Sequence, residues 1–316
     1  VAKMFFAYGI GNSLFFPLAA GATAVLSPEP PTPDSIAALL LAHAPTLFFG
    51  VPTFYAGLLA SQASDDTFET VRLCVSAGEA LPEAVQSGFT KRFGVNVLDG
   101  IGSTEALHIF LSNSPDAIRP GTTGKPVPGY RIELRDGGGQ LVKPGSPGDL
   151  YVSGDSIALG YWRRADASRK VFQGEWLRTG DTYVVDESGH YRYLGRSDDL
   201  LKAGGIWVSP AEVEARLVEH EAVAEAAVVG IPDEAGMDKP AALVVRAPGH
   251  DHVDADALIA WCREGLASFK RPRLVEFTTE LPRTATGQAP PHRDNELLWQ
   301  PTRTADTRRS PLPPIS

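Results

Sequence analysis

Apolar and polar positions change rhythm twice along this 316-residue chain. In the first third, short apolar runs alternate with amphipathic stretches. Thr46-Leu-Phe-Phe-Gly50 precedes Val51 to Ala60, Val71-Arg-Leu-Cys-Val-Ser76 precedes Leu81 to Phe93, and Val95-Asn-Val-Leu98 follows. Strands buried on both faces read as continuous apolar runs, and helices that cover them carry one apolar stripe, so this rhythm predicts βαβ units around parallel strands. From Gly121 to Tyr193 the runs shorten. Asp136-Gly-Gly-Gly139, Pro144-Gly145, Pro147-Gly148 and Ser188-Gly189 punctuate them, which predicts a small β-barrel or distorted sheet. Beyond Asp198 a compact α+β unit is expected. Ser209-Pro-Ala-Glu212 has a hydroxyl at the N-cap, Pro at the first helical position and Glu at the third, a capping box for a helix through Val213 and Leu217. Strands at Ala226 to Ile231 and Ala241 to Val245 and a helix at Ala255 to Ala267 complete the unit.

Leu14 to Leu26 is strongly apolar, but Pro17 and Gly21 interrupt it and it is shorter than the roughly 20 residues of a spanning helix. It is expected to be buried fold, and Phe5, Phe6 and Phe15 are expected in a core. No basic segment with a small-residue cleavage site precedes it, so no membrane association and no signal peptide are expected. Two cysteines, Cys74 and Cys262, make neither a disulfide framework nor a metal-ligand spacing, which favours the cytoplasm. A formal net charge of −9 excludes the diffuse basic field of a nonspecific nucleic-acid binder, and an anionic ligand would need local cations.

Three segments bear chemistry, in the order Asp99-Gly-Ile-Gly-Ser-Thr-Glu105, Trp176-Leu-Arg-Thr-Gly-Asp181 and Gly195-Arg-Ser-Asp-Asp-Leu-Leu-Lys-Ala-Gly-Gly205. Each sets small residues beside a hydroxyl, carboxylate or cation, as a site needs when backbone must approach phosphate and ribose. The first, together with the Ser76-Ala-Gly-Glu79 loop, falls at the carboxyl ends of predicted parallel strands, where α/β folds bind ligands. The lone Gly9-Ile-Gly11 lacks the third glycine of a dinucleotide fingerprint.

With these motifs, from about Lys3 to Gly287, the chain resembles the adenylate-forming superfamily of acyl-CoA synthetases, nonribosomal-peptide adenylation domains and luciferases. Phe5-Phe-Ala-Tyr-Gly-Ile-Gly11, Ser76-Ala-Gly-Glu-Ala-Leu-Pro82 and Leu98-Asp-Gly-Ile-Gly-Ser-Thr-Glu105 look most like its benzoate-CoA ligase branch. The resemblance implies an α/β fold: a partial large domain over residues 1–195, built of the βαβ sheet plus a β-rich subdomain at 121–195, then a mobile α+β domain at 196–287. The Pro/Arg-rich residues 288–316 are expected to be a disordered tail.

The resemblance further implies an aromatic carboxylate, ATP, Mg²⁺ and CoA as ligands, and leaves a homodimer open. Thr104 would bond phosphate and Glu105 would hold Mg²⁺, the alternative being that both merely cap a following helix. Asp181 would accept from the ribose hydroxyls, with Arg196 as a second contact, and Gly78, Glu79, Ala80 and Asp99 would line the adenine. Tyr8, Ala77, Gly102, Leu107 and His108 would surround the acyl group, although His108 reads equally as a structural donor. Asp198 would be the domain hinge, Gly205 would flank pantetheine, and Phe269, Arg271 and Arg273 would meet the CoA nucleotide unless they form only a basic turn.

Relatives carry a Ser/Thr/Gly-rich loop ending in Lys ahead of the aromatic segment and a C-terminal Pro-Arg-Thr-x-x-Gly-Lys. Here no such loop occurs, and Pro282-Arg-Thr-Ala-Thr-Gly-Gln288 puts Gln288 where the catalytic lysine is expected. The chain is accordingly expected to be truncated at its N-terminus and inactive in adenylation. Competing expectations are a noncatalytic nucleotide- or CoA-binding relic or interaction protein, a fatty-acyl-CoA ligase, and an adenylation domain serving a carrier protein.

Overall fold

A computed structural model describes residues 1–197, 201–203, 206–232 and 238–281. The chain divides into two compact units, Val1–Leu200 and Leu201–Ser316.

The first unit begins with a helical segment: α1 (Ala7–Ile10), a π-helical turn at Gly11–Phe15 and α2 (Phe16–Ala20). Then α3 (Pro33–His43), β1 (Leu47–Gly50), α4 (Pro52–Ala60), β2 (Leu73–Ser76), α5 (Glu83–Phe93) and β3 (Val97–Gly102) give the alternation read from the sequence. Strands β1, β2 and β3 are parallel, with Phe48 opposite Cys74 and Cys74 opposite Val97. β4 (Ile109–Ser112) and β5 (Lys125–Pro126) extend the same sheet antiparallel, so it is mixed rather than wholly parallel. Helices α4 and α5 close over it with an aromatic core in which Phe48 meets Phe68 and Tyr55 meets Phe89 edge-on, at 5.3 and 4.9 Å between ring centroids.

The β-rich part comprises β6 (Arg131–Arg135), β7 (Gly148–Ser153), α6 (Ala165–Val171), β8 (Phe172–Gln173), β9 (Trp176–Val185) and β10 (Tyr191–Arg196). Its order is β10-β9-β7-β6, with β8 on β9, all antiparallel. Of the two expected forms, the barrel is corrected and the sheet stands: it is open, β6 and β10 are its two ends, and four main strands are too few to curl back on themselves around a filled interior. Phe110 and Leu111 of β4 join Leu134, Leu150, Leu177 and Tyr183 in one core that ties this sheet to the first.

The N-terminal segment departs from expectation. Leu14, Phe15, Phe16, Leu18, Val25 and Leu26 are exposed, as are Phe5 (81%) and Phe6 (51%), and the inward residues are instead Gly9, Gly11 and Asn12. A short helix that is apolar all round buries one side against a sheet. Here the side with small residues approaches most closely, and no described residue covers the other. No helix among the described residues is long and apolar enough to cross a membrane.

The second unit contains β11 (Leu201–Ala203), β12 (Ile206–Val208), α7 (Pro210–Val218), β13 (Val223–Pro232), β14 (Asp238–Arg246), α8 (Ala255–Gly265) and β15 (Leu274–Thr278). β13 and β14 pair antiparallel, and β15 joins β14 in parallel. Val213 and Leu217 of α7 and Leu258 and Cys262 of α8 pack on Val228, Val244 and Val275. The 3.6-residue spacing of these apolar positions is why both helices lie on this sheet.

Candidate functional site

In the first unit, Ser76 at the carboxyl end of β2 lies opposite Asp99 within β3. Ala77 is buried beneath the loop that follows β2, and Gly78, Glu79 and Ala80 are exposed on it. β3 continues through Gly102, so the Asp99-Gly-Ile-Gly motif is strand rather than loop, held on its far side by β4. Only glycine fits at 102, where a Cβ would stand 2.3 Å from the His108 carbonyl oxygen.

Asp99 is buried and its Oδ1 has no hydrogen-bond partner among the described residues. Burial raises its pKa well above the carboxylate range, opposed by the Gly100 amide and the Thr123 hydroxyl. Thr123 also lies 3.3 Å from the Tyr183 hydroxyl, and burial, Asp181 and Asp99 together push the Tyr183 phenol upward. Asp99 and Asp181, far apart in sequence, thus both act on one buried phenol.

Asp181 lies on β9 directly opposite Arg196 on β10. Arg196 Nη1 donates to Asp181 Oδ1 at 2.9 Å and to the Thr179 carbonyl at 3.1 Å. Gly180 has φ +78°, and a Cβ there would meet Arg196 Nη2 at 2.7 Å, so glycine lets the guanidinium cross the turn. Burial nevertheless outweighs Arg196 and raises the pKa of Asp181.

Thr104 and Glu105 form, with Ala106, a single 3₁₀ turn capped by Ser103, whose Oγ accepts from the Ala106 amide at 3.2 Å. No α-helix follows: Leu107 takes φ 69°, ψ −50°, and β4 begins at Ile109. Thr104 is exposed and Glu105 is half-buried. The Glu105 carboxylate accepts from the Tyr161 hydroxyl through Oε1 at 2.7 Å, and Oε2 has no hydrogen bond or ion pair among the described residues. Among the described residues, no group of three or more His, Cys, Asp or Glu converges to make a metal cage. One carboxylate with an available oxygen fits Mg²⁺, which typically takes one or two protein carboxylates and completes its shell with phosphate and water.

Tyr8 donates to the Val75 carbonyl at 2.9 Å, and its ring lies 5.4 Å from His108, which Phe16 meets edge-on at 4.7 Å. Burial lowers the His108 pKa, and its Nε2 is buried without a partner among the described residues. Leu107 is exposed beside it. Two residues here were not anticipated from sequence. Tyr161 reaches Glu105 across 56 positions, a separation with no local pattern. Asn12 is buried on the π turn with neither amide atom hydrogen-bonded among the described residues; the Gly-Asn step inside an apolar run was its only signal.

In the second unit, Phe269 is half-buried and Arg273 is exposed. Arg271 gives Nε to the Leu266 carbonyl at 2.9 Å and Nη2 to the Arg263 carbonyl at 3.3 Å, and so holds the last carbonyls of α8. Asp198, Gly205, Gln288 and the tail lie outside the described residues.

Residues 1–162 match the model of the AMP-binding enzyme family, and residues 212–288 that of the AMP-binding enzyme C-terminal domain. The chain is 52% identical over 291 residues to the benzoate–CoA ligase of Thauera aromatica, covering 91% of this chain and 55% of that one. Among solved structures it is similar to a benzoate CoA ligase from Burkholderia xenovorans LB400, with TM-score 0.82, 52% identity, and coverage of 92% of this chain and 59% of that one. It is also similar to the O-succinylbenzoate coenzyme A synthetase of Bacillus subtilis solved with ATP and a magnesium ion, with TM-score 0.84, 30% identity, and coverage of 94% and 60%. The chain thus spans little more than half the length of these relatives.

Proposed function

This chain belongs to the AMP-binding enzyme family, and on that premise we propose that it carries the nucleotide and acyl subsites of an ATP-dependent ligase joining an aromatic carboxylate to CoA. The observation that carries this reading is the grouping of carboxylates in the first unit. Asp99 on β3 and Asp181 on β9 both act on the buried Tyr183 phenol, and Glu105 presents an oxygen from the turn after β3.

In the first half-reaction a carboxylate oxygen attacks the α-phosphorus of ATP, the bond to the β-phosphate oxygen breaks, and pyrophosphate leaves. Two anions must meet, so positioning and neutralisation carry the catalysis. Asp181 accepts from the ribose hydroxyls while Arg196 orients its carboxylate and opposes the burial that raises its pKa. Gly78, Glu79, Ala80 and Asp99 border the adenine, and Thr104 donates to phosphate. Mg²⁺, held by Glu105, would supply charge neutralisation on the phosphates. A planar acid lies among Tyr8, Ala77, Gly102, Leu107 and the His108 ring, flat walls that suit an aromatic group.

In the second half-reaction the CoA sulfur attacks the acyl carbon, its proton departs to solvent, and the bond to AMP breaks. Asp198 is the pivot between the two steps, Gly205 borders pantetheine, and Phe269 and Arg273 face the CoA nucleotide. Arg271 joins them only after exchanging a carbonyl of α8 for a phosphate.

Gln288 is uncharged where the family motif has lysine, and losing one such donor costs about 2.7–4 kcal/mol in the step it serves. Assayed separately, thioester formation from supplied benzoyl-adenylate and CoA should outpace benzoate-dependent pyrophosphate exchange by at least about a hundredfold. Failure to bind ATP, CoA or benzoyl-adenylate in calorimetry would overturn the reading. Faster consumption of octanoyl-adenylate than of benzoyl-adenylate would overturn the aromatic assignment alone.

A further inference from the structure

We infer that Tyr161 is a positioning residue that fixes the Glu105 carboxylate for a divalent cation. The inference rests on the reading of Glu105 as the cation-binding group.

The loop between β7 and α6 grips the turn after β3 at several points. Ser156 Oγ donates to the Ala106 carbonyl at 2.8 Å, the Ala158 amide donates to the Glu105 carbonyl at 2.8 Å, and Tyr130 and Ser156 share a hydrogen bond of 2.7 Å. These contacts hold the backbone of the turn without any help from the Tyr161 phenol. What the phenol adds is confined to the side chain: its O–H meets Glu105 Oε1 at 2.7 Å, the short length of a charge-assisted bond. The Tyr161 ring is itself set edge-on against Phe172 at 5.2 Å, and its amide donates to Ser168 Oγ at 2.8 Å, so the donor arrives from a fixed direction.

The chemistry of that donor matters. Glutamate has three side-chain torsions, and an unrestrained one must be ordered when a cation binds. A cationic partner would hold it but would compete with the metal for its charge, and no cationic side chain among the described residues pairs with Glu105. A neutral phenol orders the carboxylate, occupies one oxygen and leaves the negative charge and Oε2 for a hard cation. Hydrogen-bonded carboxylate ligands of this kind are the usual arrangement around protein-bound metals, and removing the outer partner typically weakens metal affinity about 10- to 100-fold.

The test is calorimetric and needs no turnover. Binding of a nonhydrolysable ATP analogue to the full chain is followed across a magnesium chloride titration for wild type, Tyr161→Phe, Glu105→Gln and the double variant. Tyr161→Phe keeps the ring on Phe172 and should leave the melting temperature nearly unchanged. It should raise the Mg²⁺ concentration giving half of the effect by about tenfold, and should add nothing in the Glu105→Gln background. An unchanged Mg²⁺ dependence in Tyr161→Phe, with Glu105→Gln abolishing it, would overturn the role of Tyr161 alone. If wild type shows no Mg²⁺ dependence, or Glu105→Gln keeps it, the reading of Glu105 falls and the inference with it.

Discussion

Asp99 is a carboxyl group within β3 with one oxygen unpartnered among the described residues, and burial raises its pKa well above the ordinary 3.8. The unfolded chain loses this proton near the ordinary value and the folded chain only at higher pH. Between the two values the folded state binds more protons, so stability falls as pH rises through that window and the loss is complete above the folded pKa. Asp99→Asn removes the charge that must be buried. Its melting temperature should exceed that of wild type at about pH 8, and the gap should close below the ordinary carboxylate value. A gap that does not vary with pH in circular-dichroism melts would detach ionisation of Asp99 from stability. Asp181 has a raised pKa but also a guanidinium partner, and its proposed work is on the nucleotide. Asp181→Ala should weaken AMP or ATP binding by about 1.5–3 kcal/mol, the worth of hydrogen bonds to a charged group. Unchanged affinity in a folded variant would remove it from the site.

The helix α7 shows how an element keeps its start signal while tertiary contacts redirect part of it. Ser209 Oγ accepts from the Glu212 amide at 3.2 Å, as the sequence pattern requires. The second half of the expected capping box is replaced, because both Glu212 carboxylate oxygens accept from Lys270 Nζ at 2.6 and 2.7 Å. Ser209→Ala should therefore cost about 1 kcal/mol in urea unfolding of the second unit. Glu212→Gln should cost no more than about 1 kcal/mol, since the pair it breaks is partly exposed. At the β3–β4 junction the constraint is steric. Gly102→Ala must push the His108 carbonyl away, at about 1–3 kcal/mol, and should disturb His108 before it disturbs the sheet. A fully tolerated alanine, judged by melting temperature and by the His108 imidazole resonances, would refute that packing.

At the scale of the whole molecule, Phe5, Phe6, Phe15, Phe16, Leu18 and Leu26 of the N-terminal segment all stand exposed. Exposed apolar side chains drive association, and the net charge of −9 opposes it only at low ionic strength. Sedimentation velocity should show concentration-dependent self-association that grows with salt and is relieved by Phe5→Ser with Phe15→Ser. The substitutions should leave the melting temperature within a few degrees, because both rings are already in solvent. A wild-type chain that stays monomeric at high salt would mean these side chains are not adhesive.

The sequence alone determined the βαβ alternation around Phe48, Cys74 and Val97, the α+β character of the second unit and the family motifs at Asp99–Glu105 and Trp176–Asp181. It did so because apolar periodicity and turn chemistry are local, and each strand or cap carries its signal within a few residues. Only the tertiary structure decided that the β-rich sheet stays open, that Asp181 faces Arg196 across two strands, and that Asp99 shares Tyr183 with it. It alone turned Phe5 and Phe15 outward and brought Tyr161 to Glu105. Those outcomes depend on register, on which face of an apolar helix meets the sheet, and on contacts between distant segments, none of which leaves a period in the chain.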